Sequence, residues 1–162
     1  MFDKFGEFDS HEEINRAAAA QREEGDTEAI LMIAEENGLD REDAEDFCTG
    51  AIEELTTPLL AAEGKLKIEA EDLKANGLIA DWKDHVLQLC AEDNELCLAV
   101  RRKGKRLEQC LGKLLEYAFK NKAVIDGRIV KAAGLTPPIY LGVPGRAEAR
   151  KIIRKYYLGE EK

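Results

Sequence analysis

Apolar residues in this chain recur at intervals of three and four, and no segment sustains the period-two alternation of a half-buried strand. Ser10 with Glu13 three residues on forms a capping box, in which hydroxyl and carboxylate satisfy backbone N–H groups, so "HEEINRAAAAQREE" predicts a first helix over about 11–24. Asp26 is a cap for "TEAILMIAEEN", which stops at Gly38. Asp40 opens "REDAEDFCTGAIEEL", where Ala44, Phe47, Cys48, Ala51, Ile52 and Leu55 share one stripe. Pro58 is disruptive inside a helix but well tolerated in a first turn, and so begins "PLLAAEGKLKIEAEDLK", which Gly77 ends before "LIADWKDHVLQLCAED". Asp93 caps "NELCLAVRR". After Gly104, "RLEQCLGKLLEYAFKN" has the cleanest periodicity in the chain, with Leu107, Cys110, Leu111, Leu114, Leu115, Ala118 and Phe119 on one apolar face. A short helix from Asp126 to Ala133 stops at Gly134, and "RAEARKIIRKYYL" forms a last one ending at Gly159. Between them "LTPPIYLGVPG" reads as an irregular connection, its "IYLGV" too short and isolated to need a sheet partner.

These elements predict an all-α fold, a compact bundle of about seven to nine helices with short loops. The expected organisation is an acidic N-terminal segment or helix over residues 1–25, then a single helical domain over 26–162. A chain that is 44% hydrophobic can bury a core, and its 35% of charged residues then belong on the surface. The beginning, "MFDKFGEFDSHEE", has neither a basic leader with an apolar run nor an Arg-rich transit pattern, and no segment approaches a membrane span, so a cytoplasmic protein is expected.

Charge adds what hydropathy does not show. Residues 1–100 sum to -19 and residues 101–162 to +10, which together make the net charge of -9. An asymmetry of this size suggests a charged partner or two faces with different tasks, although acidic surfaces also serve solubility.

Candidate chemistry is sparse. His11 and His85 have no second histidine, cysteine or spaced carboxylate set on their faces, and His85 follows Asp81 by one helical turn, the spacing of an ordinary surface hydrogen bond. Cys48, Cys90, Cys97 and Cys110 form no CxxC pair and sit inside apolar patterns, as small buried hydrophobes do. Phosphate-loop, zinc-protease, calcium-loop and nucleophile-elbow motifs are missing, which argues against an enzyme, a metal or a cofactor.

The basic block "VRRKGKRLEQC" has two readings. Arg101, Arg102 and Lys103 close a helix that begins with Asp93 and Glu95, and this arrangement complements the helix dipole. Lys105 and Arg106 open the next helix at its unfavourable end, which leaves an anion-binding corner as the alternative. In the last helix Arg146, Arg150 and Arg154 recur every four residues, with Lys151 and Lys155 beside them, as either a solvated face or a stripe for phosphates or carboxylates. The acidic clusters Glu23, Glu24, Asp26, Glu28 and Asp40, Glu42, Asp43, Glu45, Asp46 are likewise either solvated first turns or mimics of nucleic-acid phosphates, suited to the basic channel of a nuclease.

Four strings, "ENGLDREDAEDF" (36–47), "ELTTPLLAAEGKLKIEAEDLK" (54–74), "LAVRRKGKRLEQCLGKLLEYAFKN" (98–121) and "LGVPGRAEARKIIRKYYLGE" (141–160), together resemble the PcfK-like proteins of bacterial conjugative and mobile elements. That family includes proteins described as inhibitors of the type II CRISPR effector nuclease. The resemblance spans most of the chain beyond Asp26 and rests on the order and wording of the strings, with no catalytic signature. It implies a small helical protein without a cofactor that binds the RNA-guided nuclease, or its guide-RNA complex, and blocks DNA binding or cleavage. It does not identify contact residues. The other expectation is a mobile-element accessory protein that binds nucleic acid through the basic C-terminal third. Faces rich in both signs also permit a dimer.

Overall fold

Helix-capping chemistry accounts for most of the elements in the computed structural model, which describes residues 4–159. Ser10 accepts a hydrogen bond from the Glu13 backbone and starts α1 (His11–Glu24), while the Glu13 carboxylate reaches the Asp9 N–H. Asp26 caps α2 (Thr27–Glu36), Asp40 precedes α3 (Arg41–Thr49), and Thr57 caps α4 (Pro58–Asp72) with Pro58 in its first turn. Then come α5 (Gly77–Glu92) and α6 (Asn94–Arg101), the latter capped by Asp93 through the Glu95 and Leu96 N–H groups. The remaining helices are α7 (Leu107–Lys120), α8 (Gly127–Ala132) and α9 (Arg146–Leu158). The fold is mostly α, with nine helices among the described residues.

The structure differs from the expected elements in three places, each with a local cause. The third helix ends at Thr49 instead of reaching Leu55, because Gly50 turns left-handed (φ 79°) and neighbouring side chains take over the backbone groups beyond it. Arg22 donates to the carbonyls of Phe47 and Ile52, and the Asn15 amide both donates to and accepts from the Thr56 backbone at 2.9 Å. The fourth helix stops at Asp72, where Lys74 takes the left-handed turn (φ 50°) expected of a glycine, and Gly77 opens α5. The segment expected to be irregular contains β2 (Tyr140–Leu141), which pairs antiparallel with β1 (Ala123–Val124) in the register Ala123↔Leu141 and Val124↔Tyr140. Two strands of two residues carry too little alternation to be seen in a hydropathy pattern.

The chain divides into two compact units, Met1–Glu108 and Gln109–Lys162. The N-terminal helix belongs to the first unit: Ile14 and Ala18 share a core with Ile30, Ile33, Phe47 and Leu55, and Phe5 and Phe8 pack on it. Helix α4 lies against α5 and α6 in the same unit. Gly38 and Gly64 meet at van der Waals contact there; a Cβ on Gly64 would sit 2.2 Å from the Asn37 carbonyl oxygen. In the second unit Cys110, Leu111, Leu114, Val130, Ala149, Ile153 and Tyr157 are buried. The division at Glu108 falls near the change of charge sign, so the first unit sums to -15 and the second to +6.

Candidate functional site

The helix α6 that ends in the basic block buries its last residue. Arg101 is 1% exposed, and Lys65 on α4 is fully buried beside it. Unpaired, either charge would cost several kcal/mol, on the order of the desolvation of an ion in a protein interior. The first unit answers both charges. The Lys65 Nζ donates to the carbonyl oxygens of Arg102 and Lys105, each at 2.7 Å, and so satisfies the chain where it leaves α6 and turns through Gly104 (φ 78°). The Glu7 carboxylate lies 3.4 Å from the same ammonium. Arg101 donates to the Asn37 side-chain oxygen, and Asn37, itself buried, donates to the Ile33 carbonyl.

Arg106 completes the cluster. Its guanidinium meets Glu7 at 3.1 Å and Glu69 at 3.7 Å, and the other Glu69 oxygen accepts from the Leu107 N–H, the first of α7. A carboxylate at that position complements the positive end of the helix. Burial pushes the Glu69 carboxyl up and the Lys65 ammonium down, in each case against the opposing pull of the other, and lowers Arg101 to about 10. Three further hydrogen bonds hold residues 4–9: the Lys103 N–H donates to Asp9 at 2.7 Å, and the Lys4 and Phe5 N–H groups donate to Glu36 at the end of α2.

This geometry corrects the expectation for Arg101, which is closed off from any surface. At the corner offered as the alternative for Lys105 and Arg106, the Arg106 guanidinium faces the chain's own Glu7 and Glu69. Arg102 and Lys103 are exposed, and Lys105 is half-buried with its carbonyl engaged. Glu7, Asn37, Lys65 and Glu69 escaped the sequence reading. The signal for two of them was a lysine and a glutamate one turn apart on α4, on the same face as Ala61, Ala62 and Leu66.

The other candidates lie on the surface. On α3 and its cap, Asp40, Glu42, Glu45 and Asp46 are exposed and Asp43 half-buried, with Arg41 pairing to Glu45. Glu23, Glu24, Asp26 and Glu28 are exposed where α1 passes into α2. In the second unit α9 buries Ala149, Ile153 and Tyr157 and half-buries Ile152 and Tyr156, while Arg146, Arg150, Lys151 and Lys155 are exposed and Arg154 half-exposed. The predicted amphipathic division of this helix is therefore the observed one. A cleft of about 500 Å³ between α7 and α9 has Tyr117, Ile152 and Tyr156 in its lining, with Lys113, Lys120 and Lys155 around them.

Among the described residues no group of three or more His, Cys, Asp or Glu side chains is placed to hold a metal ion, and no helix is long and apolar enough to cross a membrane. No family model, no curated protein and no solved structure matches this chain.

Proposed function

We propose that this chain is a non-enzymatic inhibitor of an RNA-guided type II CRISPR effector nuclease, acting in the bacterial cytoplasm by binding the nuclease or its guide-RNA complex. The observation that carries the reading is the resemblance of the four strings, in order, to PcfK-like proteins. The acidic surface of the first unit gives it a physical route. Glu42, Glu45 and Asp46 stand exposed on α3 and Asp40 at its cap, and a second exposed acidic group lies at 23–28. A nuclease that holds a heteroduplex by its backbone offers a basic channel of matching sign. Carboxylates fixed on helices meet such a channel with little loss of conformational entropy.

The test is a DNA cleavage assay in which the purified chain is added before guide loading, after guide loading or after target loading. Inhibition is expected in at least one order, and that order names the step blocked. Replacing Asp40, Glu42, Glu45 and Asp46 by their amides is expected to weaken inhibition by about tenfold or more, as loss of several charge contacts does. Full cleavage at large excess in all three orders overturns the reading.

The exposed cations of α9 favour a second reading, a mobile-element accessory protein that contacts nucleic acid through Arg146, Arg150, Lys151 and Lys155. Binding of that kind weakens steeply with salt, because it is driven by counterion release. Absence of any mobility shift with duplex or single strand at low salt removes it.

A further inference from the structure

Neither helix by itself shows the cleft between α7 and α9. Each contributes one face to it: Lys113, Glu116, Tyr117 and Lys120 recur at intervals of three and four along α7, as do Ile152, Lys155 and Tyr156 along α9. Both faces lie within the second unit. On α7 this is the flank across the buried seam from Leu115 and Phe119, which were expected in the core and are 50% and 70% exposed.

The floor is aromatic and held in place. Tyr117, Ile152 and Tyr156 are half-buried. The Tyr156 ring stands edge-on to the buried Tyr157, with ring centres 4.8 Å apart, and its hydroxyl donates to the Gln109 side-chain oxygen at 2.8 Å. A ring fixed in this way has little conformational freedom left to lose on binding. The margin is cationic, with Lys113, Lys120 and Lys155 exposed against one carboxylate, Glu116, which pairs with Lys113 at 3.6 Å and also with Lys120. Asn121 adds directional groups: its amide donates one N–H to the Tyr117 carbonyl at 3.0 Å, and an amide has a second N–H and an acceptor oxygen besides. The cleft's volume of about 500 Å³ is in the range of small-molecule sites, which are mostly apolar with a few convergent polar groups.

What such a lining recognises follows from its parts. Tyrosine faces stack on planar rings, lysines take phosphate as point charges, and an asparagine amide matches the donor and acceptor edge of adenine. An aliphatic anion would leave the amide unused and gain nothing from rings over aliphatic side chains. A nucleotide uses all three. We infer that the α7–α9 cleft is a nucleotide site, in which a base stacks on the tyrosine faces and its phosphate meets the lysine margin. The base comes either from a free mononucleotide or from an unpaired position of a single strand, which present the same chemistry. The inference needs neither the acidic surface nor the family resemblance. A single strand as the source narrows the second reading of function, because Lys155 belongs to both.

The probes are adenosine monophosphate and a short single-stranded oligodeoxyadenylate, followed through the amide chemical shifts of the full isotope-labelled chain. Saturable shifts are expected over 113–121 and 152–156. Adenosine and inorganic phosphate, each with part of the chemistry, are expected to bind at least about tenfold more weakly than the monophosphate, a loss of the size of one stacked base. Tyr117→Leu keeps an apolar side chain without a stacking face, and K113Q/K120Q/K155Q keeps three polar side chains without charge. Each is expected to weaken binding about tenfold with the rest of the amide spectrum unchanged. A strand that binds at least about tenfold more tightly than the monophosphate assigns the source to single strands; a smaller advantage or none assigns it to free nucleotide. Absence of cleft shifts with both probes overturns the inference. So does cleft binding of inorganic phosphate, or of naphthoate as an aromatic anion without a base edge, as tight as that of the monophosphate. An oligonucleotide that shifts only the amides over 146–151 overturns the cleft as a nucleotide site while the second reading stands.

Discussion

At the scale of single residues, Lys65 and Glu69 explain how an acidic chain can bury three cationic residues' worth of backbone and side chain at one corner. Glu69 holds the N–H that opens α7, Lys65 holds the carbonyls where the chain leaves α6, and each stabilises the charge of the other. Burial raises the Glu69 carboxyl above its ordinary range, so between the unfolded and folded values the folded state holds a proton that the unfolded chain has released. The stability this proton contributes is fully present below the ordinary carboxylate range and is lost as pH rises through the folded value. Glu69→Gln keeps an acceptor for the Leu107 N–H and removes the titration. Urea unfolding of both proteins between about pH 4.5 and about pH 7 is expected to show the wild type losing ground to the variant as pH rises. Parallel stability curves would exclude a titrating Glu69 in the folded state. The same residues show why the basic block was only partly legible. Cations at a helix end are visible in sequence, but the anion that answers Arg106 is Glu7, 99 residues away.

At the scale of elements, start signals were read more reliably than stops. Ser10, Asp26, Thr57 and Asp93 cap through their own side chains, a contact that spans only two or three residues. Stops depend on what takes over the last carbonyls, and for α3 that includes Arg22, from a different helix, donating to the Phe47 carbonyl. The end of α4 gives a direct test. Lys74 sits at φ 50°, with its N–H bonded to the Glu71 carbonyl and the Ala75 N–H to the Ala70 carbonyl, the closure usually made by glycine. A side chain in that conformation costs about 1–2 kcal/mol, against about 0.5–1 kcal/mol for the added freedom of glycine when unfolded. Lys74→Gly is therefore expected to stabilise the chain by about 0.5–1 kcal/mol, measured as a higher urea midpoint at unchanged slope. A lower midpoint would show that the lysine stem contributes more packing than its backbone costs.

At the scale of the molecule, the two units differ in size, charge and core. The first holds 108 residues around the α1–α3 core and the α4–α6 packing; the second holds 54, a length at which a single core is marginal without further burial. Native-state hydrogen exchange is expected to find lower opening free energies in α8 and α9 than in α4 and α6. Equal protection in both units would mean that they unfold as one cooperative body.

The sequence by itself determined the helical class, the starts of all nine helices among the described residues to within a residue or two, the amphipathic division of α9 and the change of charge sign near residue 100. Each of these follows from periodicity, capping or counting, which act over a few residues. Only the tertiary structure decided that Arg101 is buried, that Glu7 and Glu69 answer Arg106, that α3 ends at Gly50, and that the apolar stripe of α7 leaves the core after Leu114. The physical reason is common to all four: each depends on a group brought near by folding from a distant part of the chain, and a pattern read along one helix records which face is apolar but not how much of that face another element covers.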